Sequence, residues 1–418
     1  EWNYRVSDQS MKEGWPDVVQ GFDRLVLRPE LETLSHDWID TYEARRSTFE
    51  RPRRQLAEVA DEPPAPPVIP HTIQVRALRA LKETREVGHT AGLVVLATGL
   101  GKTWLSAFDS AAFRRVLFVA HREEILQQAM ATFRRVRPNA RFGLLTGEKK
   151  DLEADILFAS IQTLGKTRHL RNFPPDSFDY VVVDEFHHAA APTYRTLISY
   201  FTPRFLLGLT ATPERTDGGD LLGLCQENLV FRCDLFEGIG EKLLCPFHYF
   251  GVPDEVDYAQ IPWRSSAFDE TELTKALATQ SRAQNALEQF RKHGGTKAIG
   301  FCCSIVHADF MTAFFKERGV RAAAIHSGES SAPRVTALEQ LQAGALDIVF
   351  AVDILNEGVD LPNVDSILML RPTESAIIWL QQFGRGLRLS ENKPRLTVVD
   401  YIGNHRVFLT KARALLNV

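Results

Sequence analysis

A lysine and a threonine follow a glycine turn in Thr98-Gly99-Leu100-Gly101-Lys102-Thr103. Residue types in this order suit the cradling of phosphate. The glycines let backbone N–H groups close on phosphate oxygens. Lys102 brings a point charge to the β- and γ-phosphates, and the Thr103 hydroxyl is a ligand for Mg²⁺. The longer form of this pattern carries a glycine five positions before Gly101, where Leu96 stands. That first glycine is the least chemical of the set. A short glycine turn by itself also fits a chance connection between a strand and a helix, so the case depends on what lies downstream.

Two further groups bear on it. Val181-Val182-Val183-Asp184-Glu185-Phe186-His187-His188 ends an apolar run in adjacent carboxylates. Asp184 is suited to the Mg²⁺ that Thr103 also serves, and Glu185 to polarising a water. His187 and His188 are neighbours, so on extended chain they point to opposite sides, and no third ligand is in view. Hydrogen bonding suits His187 better than metal ligation. Near the C-terminus, Gln381-Gln382-Phe383-Gly384-Arg385-Gly386-Leu387-Arg388 closes a helix. Arg385 and Arg388 are three apart and lean to one face. Brought against a triphosphate, they would neutralise charge in a transition state.

Short apolar runs alternating with amphipathic stretches must position these groups. Strands are expected at 93–97, 116–120, 156–159, 180–184 and 205–209, with helices at about 103–113 and 123–134. After a junction holding one helix at about 273–293, the alternation resumes. Strands are expected there at 298–302, 321–325, 348–351, 367–370 and 396–400, and helices at 306–316, 334–342 and 376–387. This is the pattern of an α/β protein with parallel sheets, whose ligands sit at the carboxyl ends of strands. The expected organisation is a short N-terminal extension and proline-rich linker over 1–62, a first lobe over 63–235, a junction over 236–296 and a second lobe over 297–418. The extension carries Arg45, Arg46, Arg51, Arg53 and Arg54, which read as a solvated helix end.

The 418 residues are enough for two or three domains. A net charge of −4 provides no overall basic field, so any nucleic-acid site must be a local groove. No apolar stretch is long enough to cross a membrane. Cys225, Cys233, Cys245, Cys302 and Cys303 show no CxxC spacing, which argues against zinc and suits a reducing cytoplasm. A chain starting at Glu1 reads as part of a longer parent.

With these anchors in order, the chain resembles a superfamily 2 helicase or translocase core of two RecA-like lobes, from about Ile69 to Asn417. Thr98 to Thr103 resembles motif I. Asp184-Glu185-Phe186-His187 resembles a DExH motif II, and Leu209-Thr210-Ala211-Thr212-Pro213-Glu214-Arg215 a motif III. Gln381 to Arg388 resembles motif VI. The resemblance implies ATP and Mg²⁺ as cofactors, with Gln74 reading adenine. It implies nucleic-acid contacts from His121-Arg122, from Gln162 and Thr163 in Ser160-Ile161-Gln162-Thr163, and from Ser304, His326 and Ser327. In Asp353-Ile354-Leu355-Asn356-Glu357-Gly358-Val359-Asp360, Gly358 and Asp360 would meet the nucleotide. His187, Thr210 and Thr212 would couple the nucleotide to the groove. Motif II is not DEAD, motif III is not Ser-Ala-Thr, and motif VI opens with Gln. These departures favour DNA, single-stranded or duplex, over RNA. Leu244 to Val252 and Arg371-Pro372-Thr373-Glu374-Ser375 resemble bacterial members with a phospholipase-D-like nuclease domain ahead of the helicase and a further domain after it. No HxK nuclease motif lies in this chain, so no nuclease activity is expected of it. Two rival readings remain at this level: a duplex translocase without strand separation, and a nucleic-acid scaffold with an idle ATP site.

Overall fold

Apolar runs of four to six residues become strands here because both of their faces are covered. The computed structural model describes residues 68–147, 151–189, 191–211, 221–264, 267–352, 363–373, 376–384, 386–390, 393–405 and 408. The expected N-terminal extension and linker, together with Thr212, Gly358, Asp360 and Arg385, lie outside them. The first lobe runs α1 (Thr72–Glu86), β1 (Ala91–Leu96), α2 (Lys102–Asp109), β2 (Val116–Ala120), α3 (Glu123–Val136), β3 (Phe142–Leu145) and β4 (Ile156–Ser160). It continues through β5 (Tyr180–Val183), α4 (Pro192–Tyr200), β6 (Phe205–Thr210) and β7 (Leu229–Cys233). The seven strands form one parallel sheet in the order β3-β4-β2-β5-β6-β1-β7.

Alternate residues of one strand enter opposite cores. Val94 and Leu96 of β1 join Phe118, Phe158 and Val182 on one face. Leu93 and Val95 join Leu117, Leu157 and Val181 on the other. Each such side chain contributes about 1.5–3 kcal/mol when fully buried. The helices flanking the site are tied in as well. Arg85 of α1 makes two 2.8 Å hydrogen bonds to the carboxylate of Asp109 at the end of α2. The Tyr180 hydroxyl of β5 donates to the same carboxylate at 2.7 Å. α2 ends at Asp109, short of the expected end at 113, and a 3₁₀ turn over Ser110–Ala112 follows.

The second lobe runs α5 (Leu235–Gly240), β8 (Phe247–Pro253), α6 (Glu270–Leu277), α7 (Gln280–His293), β9 (Ala298–Phe301), α8 (Ile305–Glu317) and β10 (Ala322–Ile325). It ends with α9 (Arg334–Gln342), β11 (Ile348–Ala351), β12 (Ser366–Met369), α10 (Ala376–Gly384) and β13 (Leu396–Ile402). Its parallel sheet has the order β10-β11-β9-β12-β13-β8. Two findings differ from the sequence expectation. The stretch expected as a junction contributes β8, paired with β13 from Phe247↔Leu396 to Pro253↔Ile402. As an edge strand it tolerates the proline and glycine that made it read as a connector. The helix expected at 273–293 is two helices, with Thr279 capping the second through a 3.4 Å bond from the Arg282 N–H. Among the described residues, no helix is long and apolar enough to cross a membrane.

Candidate active site

β1 delivers the glycine turn, and α2 begins at Lys102 with Gly101 as its N-cap. Gly99 and Gly101 take φ values of 95° and 75°, the left-handed region that glycine enters without cost. Left-handed turns of this kind aim successive N–H groups into one concavity, and the start of α2 adds its unpaired first-turn donors. Thr98 and Thr103 flank the turn, half-buried. Gln74, expected to read adenine, is buried in α1. Its Nε2 donates to the Gly101 carbonyl at 3.2 Å, and its Oε1 accepts from the His71 N–H at 3.1 Å.

The acidic pair follows β5. Asp184 is buried, and one of its oxygens accepts from the Glu185 N–H at 3.0 Å. Glu185 itself is left-handed, φ 50° and ψ 54°, which is uncommon for a residue with a β-carbon. The carboxylate faces Lys102 Nζ at 3.8 Å and His187 Nδ1 at 3.3 Å. His187 Nδ1 also lies 3.4 Å from the Thr210 hydroxyl at the end of β6. The turn, the acidic pair, His187 and Thr210 therefore form one connected set. Among the described residues no three His, Cys, Asp or Glu side chains gather as a metal cage. A divalent ion here would share its shell with phosphate and water, which is the ordinary habit of Mg²⁺. The Thr103 hydroxyl and Asp184 carboxylate fit that role.

The second lobe reaches this set directly. A β-carbon built on Gly99 would lie 3.9 Å from Arg388 Cγ and 2.8 Å from Leu244 Cδ2. One built on Gly384, at the end of α10, would lie 2.5 Å from Thr98 Cβ. The Cys245 N–H donates to the Leu387 carbonyl at 2.8 Å, and the buried Lys393 ammonium donates to the Gly386 carbonyl at 2.9 Å. One apolar core runs through Leu100, Leu244, Phe383 and Leu387. Gln381 is buried in α10, and its Nε2 has no hydrogen-bond partner among the described residues. Gly384→Ala is expected to push α10 off Thr98 and to lower kcat/KM for ATP about 10²-fold, as a misplacement near 1 Å does. Steady-state turnover checks this.

The residues expected at nucleic acid form two groups. On the first lobe, Gln162 Nε2 donates to the His121 carbonyl at 2.6 Å, and Ser160 Oγ caps Thr163 at 3.3 Å. Arg122 is the N-cap of α3. On the second lobe, Ser304 caps α8 and accepts from the Thr274 hydroxyl at 2.8 Å. His326 Nδ1 accepts from the Gly328 N–H at 3.1 Å, so its Nε2–H donates to Asp309 at 3.0 Å. Ser327 beside it is exposed. Between the lobes, Arg334 of α9 lies 3.7 Å from Glu124 of α3. Sequence reasoning missed the roles of His71, Gly384 and Leu244. Glycine at a helix end and leucine in a loop carry no chemical signal of their own.

Two parallel-sheet lobes, with a glycine turn on one and an arginine stem of the other close to it, match RecA-like helicase lobes. Residues 68–215 match the family described as Type III restriction enzyme, res subunit, and residues 281–390 the Helicase conserved C-terminal domain. The chain is similar to IRC3 of Saccharomyces cerevisiae, provisionally named an ATP-dependent helicase, with 28% identity over 78% of this chain and 50% of that one. It is 23% identical to the Type I restriction enzyme EcoAI endonuclease subunit of Escherichia coli over 79% of this chain and 46% of that one. Among solved structures, a fragment provisionally assigned as an HsdR subunit of a type I restriction enzyme from Vibrio vulnificus superposes with TM-score 0.62. It shares 26% identity, covering 84% of this chain and 65% of that one. The chain thus spans about half the length of these two curated relatives.

Proposed function

We propose that this chain hydrolyses ATP in the cleft between its lobes and converts lobe opening and closing into movement along DNA. The observation that carries the reading is the contact of Gly384 and the Arg388 stem with Thr98 and Gly99. A nucleotide held by the glycine turn would meet both lobes at once.

Lys102 leaves Glu185 to take the β- and γ-phosphates, and the backbone N–H groups of the turn take the remaining oxygens. Thr103 and Asp184 hold Mg²⁺, which when bound offsets charge on the phosphate oxygens. Glu185, freed from Lys102, polarises the attacking water, with His187 keeping its carboxylate turned inward. Arg388, joined by Arg385 and Gln381 from the same segment, stabilises charge on the transferring phosphoryl group. Thr210 bonds to His187 and, together with Thr212, couples the nucleotide to the groove. Gly358 and Asp360 meet the nucleotide from the second lobe. His121, Arg122, Gln162 and Thr163 on one lobe, and Ser304, His326 and Ser327 on the other, hold DNA phosphates.

DNA is favoured over RNA by the form of motifs II, III and VI and by the similarity to restriction-enzyme subunits. Translocation along duplex without strand separation is the alternative reading. The five unpaired cysteines support a reducing cytoplasm. The test is ATP turnover with single-stranded DNA, duplex DNA and RNA at fixed salt, since phosphate contacts make binding salt-dependent. Stimulation by DNA above RNA is expected. Equal rates with and without nucleic acid would leave only an ATPase, and no turnover would leave a scaffold. Triplex displacement without strand displacement would mark a duplex translocase.

A further inference from the structure

His71 precedes α1 and takes no part in the chemistry above. Its ring is held from both sides. Nδ1 accepts from the Gln74 N–H at 3.3 Å, so the proton of the neutral ring is on Nε2, which donates to the Leu100 carbonyl at 3.1 Å. Gln74 takes the next carbonyl, that of Gly101, at 3.2 Å. Two successive carbonyls of the phosphate turn are thus pulled toward the start of one helix. The peptide planes they belong to then present their other edges to the concavity where phosphate would bind.

We propose that His71 is a positioning residue for the phosphate turn, and that its neutral ring is the strap that sets the turn for ATP. This rests on the reading of that turn as an ATP site. A protonated ring would place an Nδ1–H against the Gln74 N–H, two donors face to face, and release the helix cap. Burial already lowers the pKa of His71 from its usual value, so the neutral form is favoured. The charged groups around the helix start answer one another. Arg76 of α1 lies 2.8 Å from Glu237 of α5 and 3.9 Å from Glu241, which also accepts from the Thr72 hydroxyl at 3.1 Å. On the phosphate turn, Lys102 faces Glu185. The strap is therefore lost as pH falls and the ring takes its proton, and it is intact at neutral pH and above.

His71→Asn separates the two functions. Asparagine caps a helix well but is too short to reach Leu100. In the nucleotide-free protein, backbone amide exchange over residues 97–105 is expected to rise about tenfold in His71→Asn, with the melting temperature kept. The KM for ATP is expected to rise about tenfold with kcat within twofold, and the upturn of KM below pH 6.5 to disappear. His71→Ala should add a loss of melting temperature. Wild-type exchange and an unchanged KM–pH profile in His71→Asn would overturn the strap. A wild-type chain whose exchange responds as expected but which binds no ATP would instead overturn the site reading and leave the strap standing.

Discussion

Arg388→Ala is expected to lower the maximal ATPase rate by about 10³–10⁵, the range an arginine finger supplies in phosphoryl transfer. The affinity for ATP should stay within about twofold. The reason is geometric. The Arg388 stem lies beside Gly99, so its guanidinium needs no large lobe rearrangement to reach a phosphate held there. Charge on the transferring group grows only toward the transition state, so the loss falls on kcat and spares binding. Arg388→Lys should recover only a small part, because an ammonium lacks the planar fork. Equilibrium binding of a fluorescent ATP analogue, beside steady-state turnover, checks both halves. Normal turnover in Arg388→Ala would remove the assignment.

Glu185→Gln is expected to reduce turnover by about 10²–10⁴, the usual worth of a positioned general base. The amide keeps the size of the side chain and cannot take a proton from water. ATP binding should hold or tighten, because Lys102 loses the carboxylate that faces it at 3.8 Å and is freed for phosphate. Single-turnover hydrolysis of pre-bound ATP reads the chemical step apart from binding. A wild-type single-turnover rate would show that Glu185 does not act on the water.

The parts of this site that sit at strand ends were legible in the sequence. An apolar run that must be buried on both faces has few alternatives to a parallel strand, and Val116–Ala120 and Ile348–Ala351 fall where the pattern puts them. The turn and the acidic pair follow from such strands by adjacency alone. The edges were not legible. β7 and β8 are only partly covered, so their alternation is blurred, and Pro253 reads as a break. β3 is four residues long and gives too little periodicity to register. The contacts around the glycine turn were hidden for another reason. Gly384 against Thr98 and His71 against Leu100 join residues far apart in sequence through a missing side chain and a backbone carbonyl. Residue type encodes neither. Histidine is also an unusual helix cap, so the box it forms with Gln74 left no recognisable pattern.

In the proposed mechanism one ATP is gripped by both lobes. The direct measurement is a structure of the chain with Mg²⁺, ADP and beryllium fluoride. The γ-phosphate mimic is expected within hydrogen-bonding reach of Lys102 and of the Arg388 guanidinium in the same molecule. A nucleotide seated on the glycine turn with Arg388 directed away, and Gly384 no longer against Thr98, would contradict it.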